Sequence, residues 1–270
     1  MMPMRICMVP MPSTVGDIDG NLGRILDRCD TAQDGGADLV CFPELSLTGY
    51  SMPASRDLAM DASHPAVRAV LERSASGLTI CFGYVDEHGC IAQAVAEDGD
   101  IAGVYRKTHL GEREAGVMTP GEELPVIRLK RAVVGISICW EAHFPEVCGA
   151  FALEGADLVL MPFASGLGGD RRQSSWDRVL PARAYDNTIF VAACNASGDN
   201  GRGAVLGGGA CAYDVRGMDL GRTAGSALLF ADLDPEQMDR IRGGHSQSMR
   251  DVYFLDKRRP ELYPELLSRK

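Results

Sequence analysis

The chain nearly repeats one segment of its own sequence. GADLVCFPE spans residues 36–44, and GADLVLMPF spans residues 155–163. An apolar run and a helical stretch precede each copy, and the Gly-Ala-Asp turn ends that helix and starts a buried strand. The helices are predicted from about Asp17 to Gln33 and from about Glu146 to Glu154. Each half therefore predicts a β-α-β unit, and a single repetition indicates two similar layers that face each other, not a solenoid.

Strand-forming runs joined by hairpin turns follow the first unit. His88-Gly89 and Asp98-Gly99 separate three apolar runs, and such dipeptides favour tight turns. The second half has three similar runs. A helix is predicted from about Trp176 to Asp186, where apolar residues recur at roughly helical spacing. The sequence therefore predicts an α/β protein with two mixed sheets packed face to face and helices outside.

The length of the chain limits the number of domains. With 270 residues, 46% of them hydrophobic, the chain can bury one large core, and no low-complexity linker divides it. We expect a single domain over residues 1–270. Residues 232–270 are charged and are interpreted as a loop-like arm that lies over the domain surface or on a second subunit.

Composition and charge exclude several classes of protein. A net charge of −10 and a pI of about 5.0 argue against a nucleic-acid-binding surface. No apolar run approaches the roughly 18 residues of a membrane span, and the N-terminal segment lacks the long apolar core of a signal peptide. The nine cysteines lie mostly in apolar contexts and are interpreted as reduced residues of a cytoplasmic protein. The five histidines show no ligand spacing, so we expect no metal and no other cofactor.

Three strand-like runs end in side chains that can carry chemistry. VCFPELSLTGY ends a strand with Glu44, GVYRKTHL ends one with Lys107, and AVVGISICWEAHFPE ends one with Cys139. A cysteine is a strong nucleophile but needs a base to take its proton. Glu44 can serve as that base if apolar surroundings raise its pKa. Lys107 and the backbone N–H of Trp140 can then stabilise the negative charge that develops on a carbonyl or nitrile substrate.

Each of these residues also has a structural explanation when it is considered alone. Cys139 would be an inert core thiol, Glu44 a cap of a helix or turn, and Lys107 a solvated surface charge. Their occurrence together at three strand ends favours the catalytic interpretation.

Residues near these motifs are candidates for the substrate pocket. His143 is an alternative base for Cys139, but Pro145 argues against the regular helix that this pairing needs. A place in the pocket wall is the better interpretation of His143. Three aromatic residues are predicted either to line the substrate pocket or to pack in the core: Trp140, Phe163 and Trp176. Tyr50, which follows Thr48-Gly49 in the glutamate motif, is a further candidate to reach the site. The Arg171-Arg172 pair either grips a substrate carboxylate or, as the favoured alternative, lies in a solvated loop.

The three motifs together resemble the carbon-nitrogen hydrolase family, also called the nitrilase superfamily. FPELSLTGY is similar to the glutamate motif of that family, YRKTHL to its lysine motif and GISICWEAHFPE to its cysteine motif. Further similar segments, among them ARAYDNTIFVAACN, extend the resemblance over nearly the whole chain. The resemblance implies a four-layer α-β-β-α sandwich that pairs through its helices into a homodimer or a larger even-numbered assembly.

The resemblance also implies roles for individual residues. Glu44 would be the general base, Lys107 would stabilise the tetrahedral intermediate and Cys139 would be the nucleophile. A second glutamate of the family precedes an aromatic-x-Pro-Gly turn, which here begins with Met118. On this register Glu114 takes the orienting role, with Glu112 as its competitor. Where many relatives have Glu-Asn, this chain has Asp186-Asn187, which leaves the role of Asp186 open.

The function implied is the hydrolysis of non-peptide carbon-nitrogen bonds. We expect a small linear amide or carbamoyl compound to be cleaved through a Cys139 thioester, with release of ammonia. Hydrolysis of a nitrile to acid and ammonia is one alternative. A catalytically silent binding protein on the same scaffold is another.

Overall fold

The computed structural model describes residues 1–244 and 248–264, and within these ranges the strands form two six-stranded sheets and one short pair. The first sheet contains β1 (Met4–Met8), β2 (Leu39–Cys41), β3 (Thr79–Val85), β4 (Ile91–Glu97), β5 (Asp100–Arg106) and β14 (Leu229–Leu233). The second sheet contains β6 (Ile127–Arg128), β7 (Val133–Ile136), β8 (Leu158–Phe163), β9 (Phe190–Asn195), β12 (Ala210–Tyr213) and β13 (Asp219–Thr223). The short pair is β10 (Ser197–Asp199) with β11 (Val205–Gly207).

Five α-helices accompany the strands in the described part of the chain. They are α1 (Ile18–Asp34), α2 (Pro65–Ser74), α3 (Pro145–Leu153), α4 (Gly169–Asn187) and α5 (Glu236–Arg242). Local sequence explains the helix starts. The Asp17 side chain caps α1 by accepting a hydrogen bond from the backbone N–H of Gly20 at 3.2 Å. In α3 a proline occupies the first turn, where its missing N–H costs nothing.

Both sheets are mixed, and the repeated segment forms equivalent strands in them. In the first sheet β1, β2 and β3 are parallel, and the remaining pairs are antiparallel. In the second sheet β7, β8 and β9 are parallel, and the remaining pairs are antiparallel. Leu39 of β2 lies opposite Ile6, and Leu158 of β8 lies opposite Val134. The predicted internal repeat is therefore a repeat of β-α-β units.

The layers follow from where the apolar residues are buried. Ile6 and Cys41 of the first sheet share a buried cluster with Ile136 of the second sheet, so the two sheets face each other. On the outer side of the first sheet, Ile25 of α1 lies in a second buried cluster with Val40 of β2. Helices α3 and α4 contact each other, and α4 contacts β9 and β12 of the second sheet. The predicted four-layer α-β-β-α sandwich is confirmed.

Helix α4 is longer than its sequence predicts. It begins at Gly169, not near Trp176. The prediction missed its first two turns because they consist of glycine, charged and polar residues, which lack an apolar period. The loop favoured for Arg171 and Arg172 is therefore wrong, because both residues lie in α4. The helix ends where Thr188 adopts a left-handed backbone with φ of 51°.

The predicted C-terminal arm differs from the structure in two ways. Residues 232 and 233 belong to β14, which pairs with β1 through Leu233 opposite Met4. The segment that follows is not wholly loop-like, because it contains α5. Arg242 at the end of α5 binds Asp157 at 2.9 Å and so fixes this helix to the second sheet. Residues 245–247 and 265–270 of the predicted arm lie outside the described residues.

Among residues 1–244 and 248–264, no helix combines the length and the apolar character that crossing a membrane requires.

Candidate active site

Three loops that follow strands bring the predicted residues together. Lys107 comes directly after β5, as its motif predicts. Glu44 and Cys139 each lie three residues beyond a strand, β2 and β7 respectively, so the prediction that they end strands is wrong in detail. Cys139 instead opens a 3₁₀ turn that extends to His143. The three residues come from both sheets, and the packing of the sandwich places them at one site.

The backbone at two of these loops is unusual. Cys139 has a φ of 50°, and Leu45, directly after Glu44, has the same value. A positive φ is uncommon for residues other than glycine, and such conformations concentrate at functional sites. Each costs of the order of 1 kcal/mol or more, which the surrounding contacts must offset. This conformation places Cys139 in the turn beyond β7 and not within the strand itself.

Lys107 binds two carboxylates at the centre of the site. Its Nζ lies 2.7 Å from Glu44 Oε1 and 2.7 Å from Glu114 Oε1. The side chains of Glu44 and Lys107 are fully buried, and that of Glu114 is almost so. A buried charge must be paired and hydrogen-bonded to be tolerated. The two carboxylates meet that requirement for Lys107. When both are ionised, the three side chains together carry a net charge of one negative unit.

The structure distinguishes the two candidate glutamates after the lysine motif. Glu114 is buried and contacts Lys107, whereas Glu112 is exposed. Tyr50 donates a hydrogen bond to Glu114 Oε1 at 2.9 Å, and the backbone N–H of Gly111 donates one to Glu114 Oε2 at 2.7 Å. These contacts fix the carboxylate of Glu114 against the ammonium group. The predicted proximity of Tyr50 to the site is therefore seen as a direct contact with Glu114.

Burial and charge shift the pKa of Glu44 and that of Lys107 in the same direction. Burial raises the pKa of Glu44 to about 7, because the opposing attraction of Lys107 is partly offset by the negative charge of Glu114. Burial alone would lower the pKa of Lys107, but Glu44, Cys139 and Glu114 together raise it above its ordinary value. Lys107 is therefore permanently charged, while Glu44 exchanges its proton near neutral pH. The Cys139 thiol is close enough to Glu44 to affect its pKa.

The Cys139 thiol is protonated in the resting site. Burial, followed by repulsion from Glu44, raises its pKa to about 12, although Lys107 and a backbone contact with Ala164 act in the opposite direction. All nine cysteines of the chain lie within the described residues, and Cys139 is the one that is not fully buried. The other Glu44 oxygen, Oε2, is buried and has no hydrogen-bond partner among the described residues. It is free to accept a proton.

Sequence reasoning assigned no role to Glu141, which joins the lysine motif to the cysteine motif. Its Oε1 accepts hydrogen bonds from Tyr105 at 2.7 Å and from the backbone and side chain of Thr108 at 2.8 and 2.7 Å. Its Oε2 accepts one from the backbone of Ile138 at 2.7 Å. Burial would raise its pKa, but these bonds and one with His109 lower it, so Glu141 is ionised. The available signal was its place in Cys-Trp-Glu, two residues after Cys139.

The remaining pocket candidates divide into two groups. Phe163 and Trp176 are buried and meet edge to face, with ring centroids 5.3 Å apart. Trp140 is 45% exposed, and its ring meets that of the exposed His143 with centroids 5.2 Å apart. Contact of these four residues with substrate stays a prediction.

Comparison with known proteins assigns the chain to a family. The model of the carbon-nitrogen hydrolase family matches residues 5–243. The chain therefore belongs to the carbon-nitrogen hydrolase family, and it is an enzyme of that type.

Individual relatives agree with this assignment. A glutamine-dependent NAD(+) synthetase from Thermotoga maritima is 32% identical over 254 residues, which cover 88% of this chain but only 43% of the synthetase. An (R)-stereoselective amidase from a Pseudomonas species is 28% identical over 242 residues, or 86% of each chain. A solved double mutant of the amidase from Nesterenkonia sp. AN1, in complex with acrylamide, superposes with a TM-score of 0.81 at 27% identity, covering 98% of this chain and 97% of that one.

Proposed function

We propose that this protein hydrolyses a small linear amide or carbamoyl compound through a thioester on Cys139 and releases ammonia. One observation carries the proposal: Lys107 binds Glu44 and Glu114, each at 2.7 Å, beside a cysteine that alone among nine is partly accessible. This arrangement supplies a nucleophile, a base and a fixed positive charge at one site. The amidase relatives support an amide as the substrate class.

The charges of the site determine how the first step proceeds. Glu44, Lys107 and Glu114 already carry a net negative charge, so a free thiolate would add a second negative charge in a buried place. The proton must therefore leave Cys139 as its sulfur attacks the substrate carbon. The Glu44 carboxylate accepts this proton as a general base, for which a pKa of about 7 is well suited. The new S–C bond yields a tetrahedral intermediate with negative charge on the substrate oxygen.

Lys107 and the backbone N–H of Trp140 are proposed to stabilise that oxygen. Lys107 remains charged throughout because its pKa is raised, and a fixed charge in a dry site stabilises a transition state without reorganisation. Protonated Glu44 then donates its proton to the substrate nitrogen. The C–N bond breaks, ammonia leaves, and the acyl group remains on Cys139 as a thioester.

Water completes the reaction in the second half. Glu44, again a carboxylate, takes a proton from water as the water oxygen attacks the thioester carbon. The C–S bond breaks, the carboxylic acid product leaves, and Glu44 returns the proton to Cys139. Glu114 is proposed to act as a positioning residue, because Tyr50 and Gly111 hold it against Lys107. No step requires a metal or an organic cofactor.

The proposal includes a homodimer, or a larger even-numbered assembly, in the cytoplasm. The family resemblance implies pairing through the outer helices, on which Leu153 at the end of α3 and Tyr185 on α4 are exposed. Light scattering of the purified protein would check the mass of the assembly.

A screen for ammonia release tests the proposed activity. Short amides, carbamoyl amines, carbamoyl acids and nitriles are incubated with the protein, with Cys139→Ala and with Cys139→Ser. We expect release from an amide or carbamoyl compound, lost about 10⁴-fold or more in both variants. Unchanged circular dichroism would show that the fold is retained. Ammonia from nitriles alone would replace the proposal with nitrile hydrolysis. No release from any compound, together with saturable binding, would favour the silent binding protein.

A further inference from the structure

Arg172, in the first turns of α4, is a buried cation with no acidic partner in the described part of the chain. Only 6% of the residue is exposed, and among the described residues no carboxylate lies within 4 Å of its guanidinium group. Its Nε is buried without a hydrogen-bond partner. Arginine is almost never buried unless it is paired, and an unpaired buried charge is costly. Arg172 is therefore not solvated as the sequence favoured, whereas Arg171 is exposed, and both residues lie in α4 and not in a loop.

Neighbouring groups hold the guanidinium of Arg172 in place. Its central carbon lies 5.1 Å from the ring centroid of Phe163 and 5.3 Å from that of Trp176, within the range of cation–π attraction. Its Nη2 donates a hydrogen bond to Ser165 Oγ at 2.5 Å. Two rings and one hydroxyl thus orient the planar group, which reduces the entropy lost when it binds a ligand. None of the three neutralises its charge.

The position of Arg172 relates it directly to the nucleophile. It contacts Phe163 and Ser165, and the backbone of Ala164, between these two residues, contacts the Cys139 thiol. Asn195 secures this segment by accepting a hydrogen bond from the backbone N–H of Ser165 at 2.8 Å. Burial lowers the pKa of Arg172 and Cys139 partly opposes this, while burial and then the charge of Arg172 lower the pKa of His143. Arg172 is therefore next to the reaction centre and not on a remote surface.

There is free space at this arginine. A cavity of about 250 Å³ is lined by Arg172, Trp176 and the paired glycines Gly208 and Gly209, among other residues. Arg222 also lines it, but Arg222 is paired with Asp219 and Asp177. Arg172 is thus the cationic lining residue that has no carboxylate within 4 Å among the described residues, and the exposed Asp170 is the acidic lining residue of the same cavity. The volume of the cavity suits a short aliphatic ligand, since drug-sized molecules need about 300–1,000 Å³.

We propose that Arg172 binds a carboxylate at the end of the substrate that is remote from the scissile carbon-nitrogen bond. The substrate class is then a short aliphatic acid that carries a terminal amide or a carbamoyl-amine group. A carboxylate would receive charge-assisted hydrogen bonds from the guanidinium and would remove its unpaired charge. This inference rests on the proposed function, because it names the substrate of the same site.

Matched pairs of substrates test the proposal. Succinic monoamide is compared with butyramide, and N-carbamoyl-β-alanine with N-propylurea, because within each pair a carboxylate replaces a methyl group. We expect kcat/KM of the unaltered protein to favour the acid of at least one pair by about 100-fold or more. Arg172→Met should lower that preference at least about 30-fold, mainly through KM, and Arg172→Lys should restore only part of it, since lysine lacks the planar fork.

The matched control is Arg171→Met, which removes a neighbouring but exposed charge and should leave the preference as it is. Equal losses on both members of a pair in Arg172→Met would show a purely structural role and would overturn the proposal. Equal kcat/KM values of the unaltered protein for butyramide and for succinic monoamide, and for the two members of the other pair, would also overturn the proposal.

Calorimetric binding to Cys139→Ala separates this proposal from the proposed catalysis. The monoamide, or the carbamoyl acid, should bind Cys139→Ala at least about 30-fold more tightly than it binds Cys139→Ala/Arg172→Met. Binding that depends on Arg172 without any ammonia release would retain the arginine site and overturn the proposed function. Ammonia release by the unaltered protein, together with binding of the acid that Arg172→Met does not weaken, would retain the proposed function and overturn the arginine site.

Discussion

Tyr105 donates a hydrogen bond to Glu141 at 2.7 Å, although the two residues belong to different sheets of the sandwich. Tyr105 lies in β5 of the first sheet, and Glu141 lies in the 3₁₀ turn that follows β7 of the second. The same carboxylate accepts backbone hydrogen bonds from Thr108 and Ile138, which flank Lys107 and Cys139. Glu141 therefore holds the loop of Lys107 and the loop of Cys139 together. Its own oxygens are fully used by these donors.

Glu141→Gln should destabilise the protein and slow the reaction. A glutamine would place an NH₂ group against backbone and hydroxyl donors, so buried donors would lose their acceptor. We expect the free energy of unfolding to fall by about 2–4 kcal/mol and kcat to fall at least about tenfold, because Lys107 and Cys139 lose their common anchor. Urea unfolding and steady-state kinetics would measure the two effects. The exposed Glu112→Gln is the control, and equal behaviour of the two variants would contradict the anchoring role.

Alkylation should select Cys139 among the nine thiols. The other eight are buried, and burial raises the pKa of several of them, such as Cys7 and Cys148, to about 12. Cys139 has an equally raised pKa but is partly accessible and lies beside a base. We expect about one equivalent of iodoacetamide per chain at pH 7.5, measured by intact mass, and none in Cys139→Ala. Slower labelling in Glu44→Gln would show base assistance, and uniform slow labelling of all thiols would count against the site.

The rate should rise with pH through the pKa of Glu44. The base must be ionised to accept the thiol proton, and its pKa is raised to about 7, whereas the thiol stays protonated until about pH 12. We therefore expect log kcat/KM to rise with unit slope below pH 7 and to level off above it. A rate that is flat from pH 5 to 9, or that falls over this range, is incompatible with Glu44 as the base.

The same pKa makes stability depend on pH. A carboxyl group with a pKa of about 7 in the folded protein and about 4.5 when unfolded binds more protons in the folded state between these values. Its contribution to stability is complete below about pH 4.5 and is lost as the pH rises through about 7.

Replacing the carboxyl group tests this linkage. Glu44→Gln should show a smaller fall in Tm between pH 5 and pH 8 than the unaltered protein does, with each kcal/mol worth about 2–4 °C. Glu112→Gln should keep the original slope. A steeper fall in Glu44→Gln would contradict a raised pKa.

Much of the fold was predictable because it depends on local pattern. The strands around the repeated Gly-Ala-Asp segments and the helix that Asp17 caps follow from apolar runs, turn residues and a capping side chain, all of which act over a few residues. The start of α4 was not predictable in this way. Its first turns are polar in sequence, and Arg172 is buried only because Phe163 and Trp176 surround it.

Local sequence pattern was enough to predict the two β-α-β units and to select the side chains that could act as nucleophile, base and cation, since residue type and apolar periodicity are local properties. Three relationships arise only when the sheets pack. Lys107 meets Glu44, 63 residues away in the chain. Glu114, and not Glu112, is the second carboxylate at Lys107, and Glu141 bridges the two sheets. Ion pairs and pKa shifts depend on distance and burial in space, which arise when the sheets pack together. The local pattern of side chains carries no measure of either quantity.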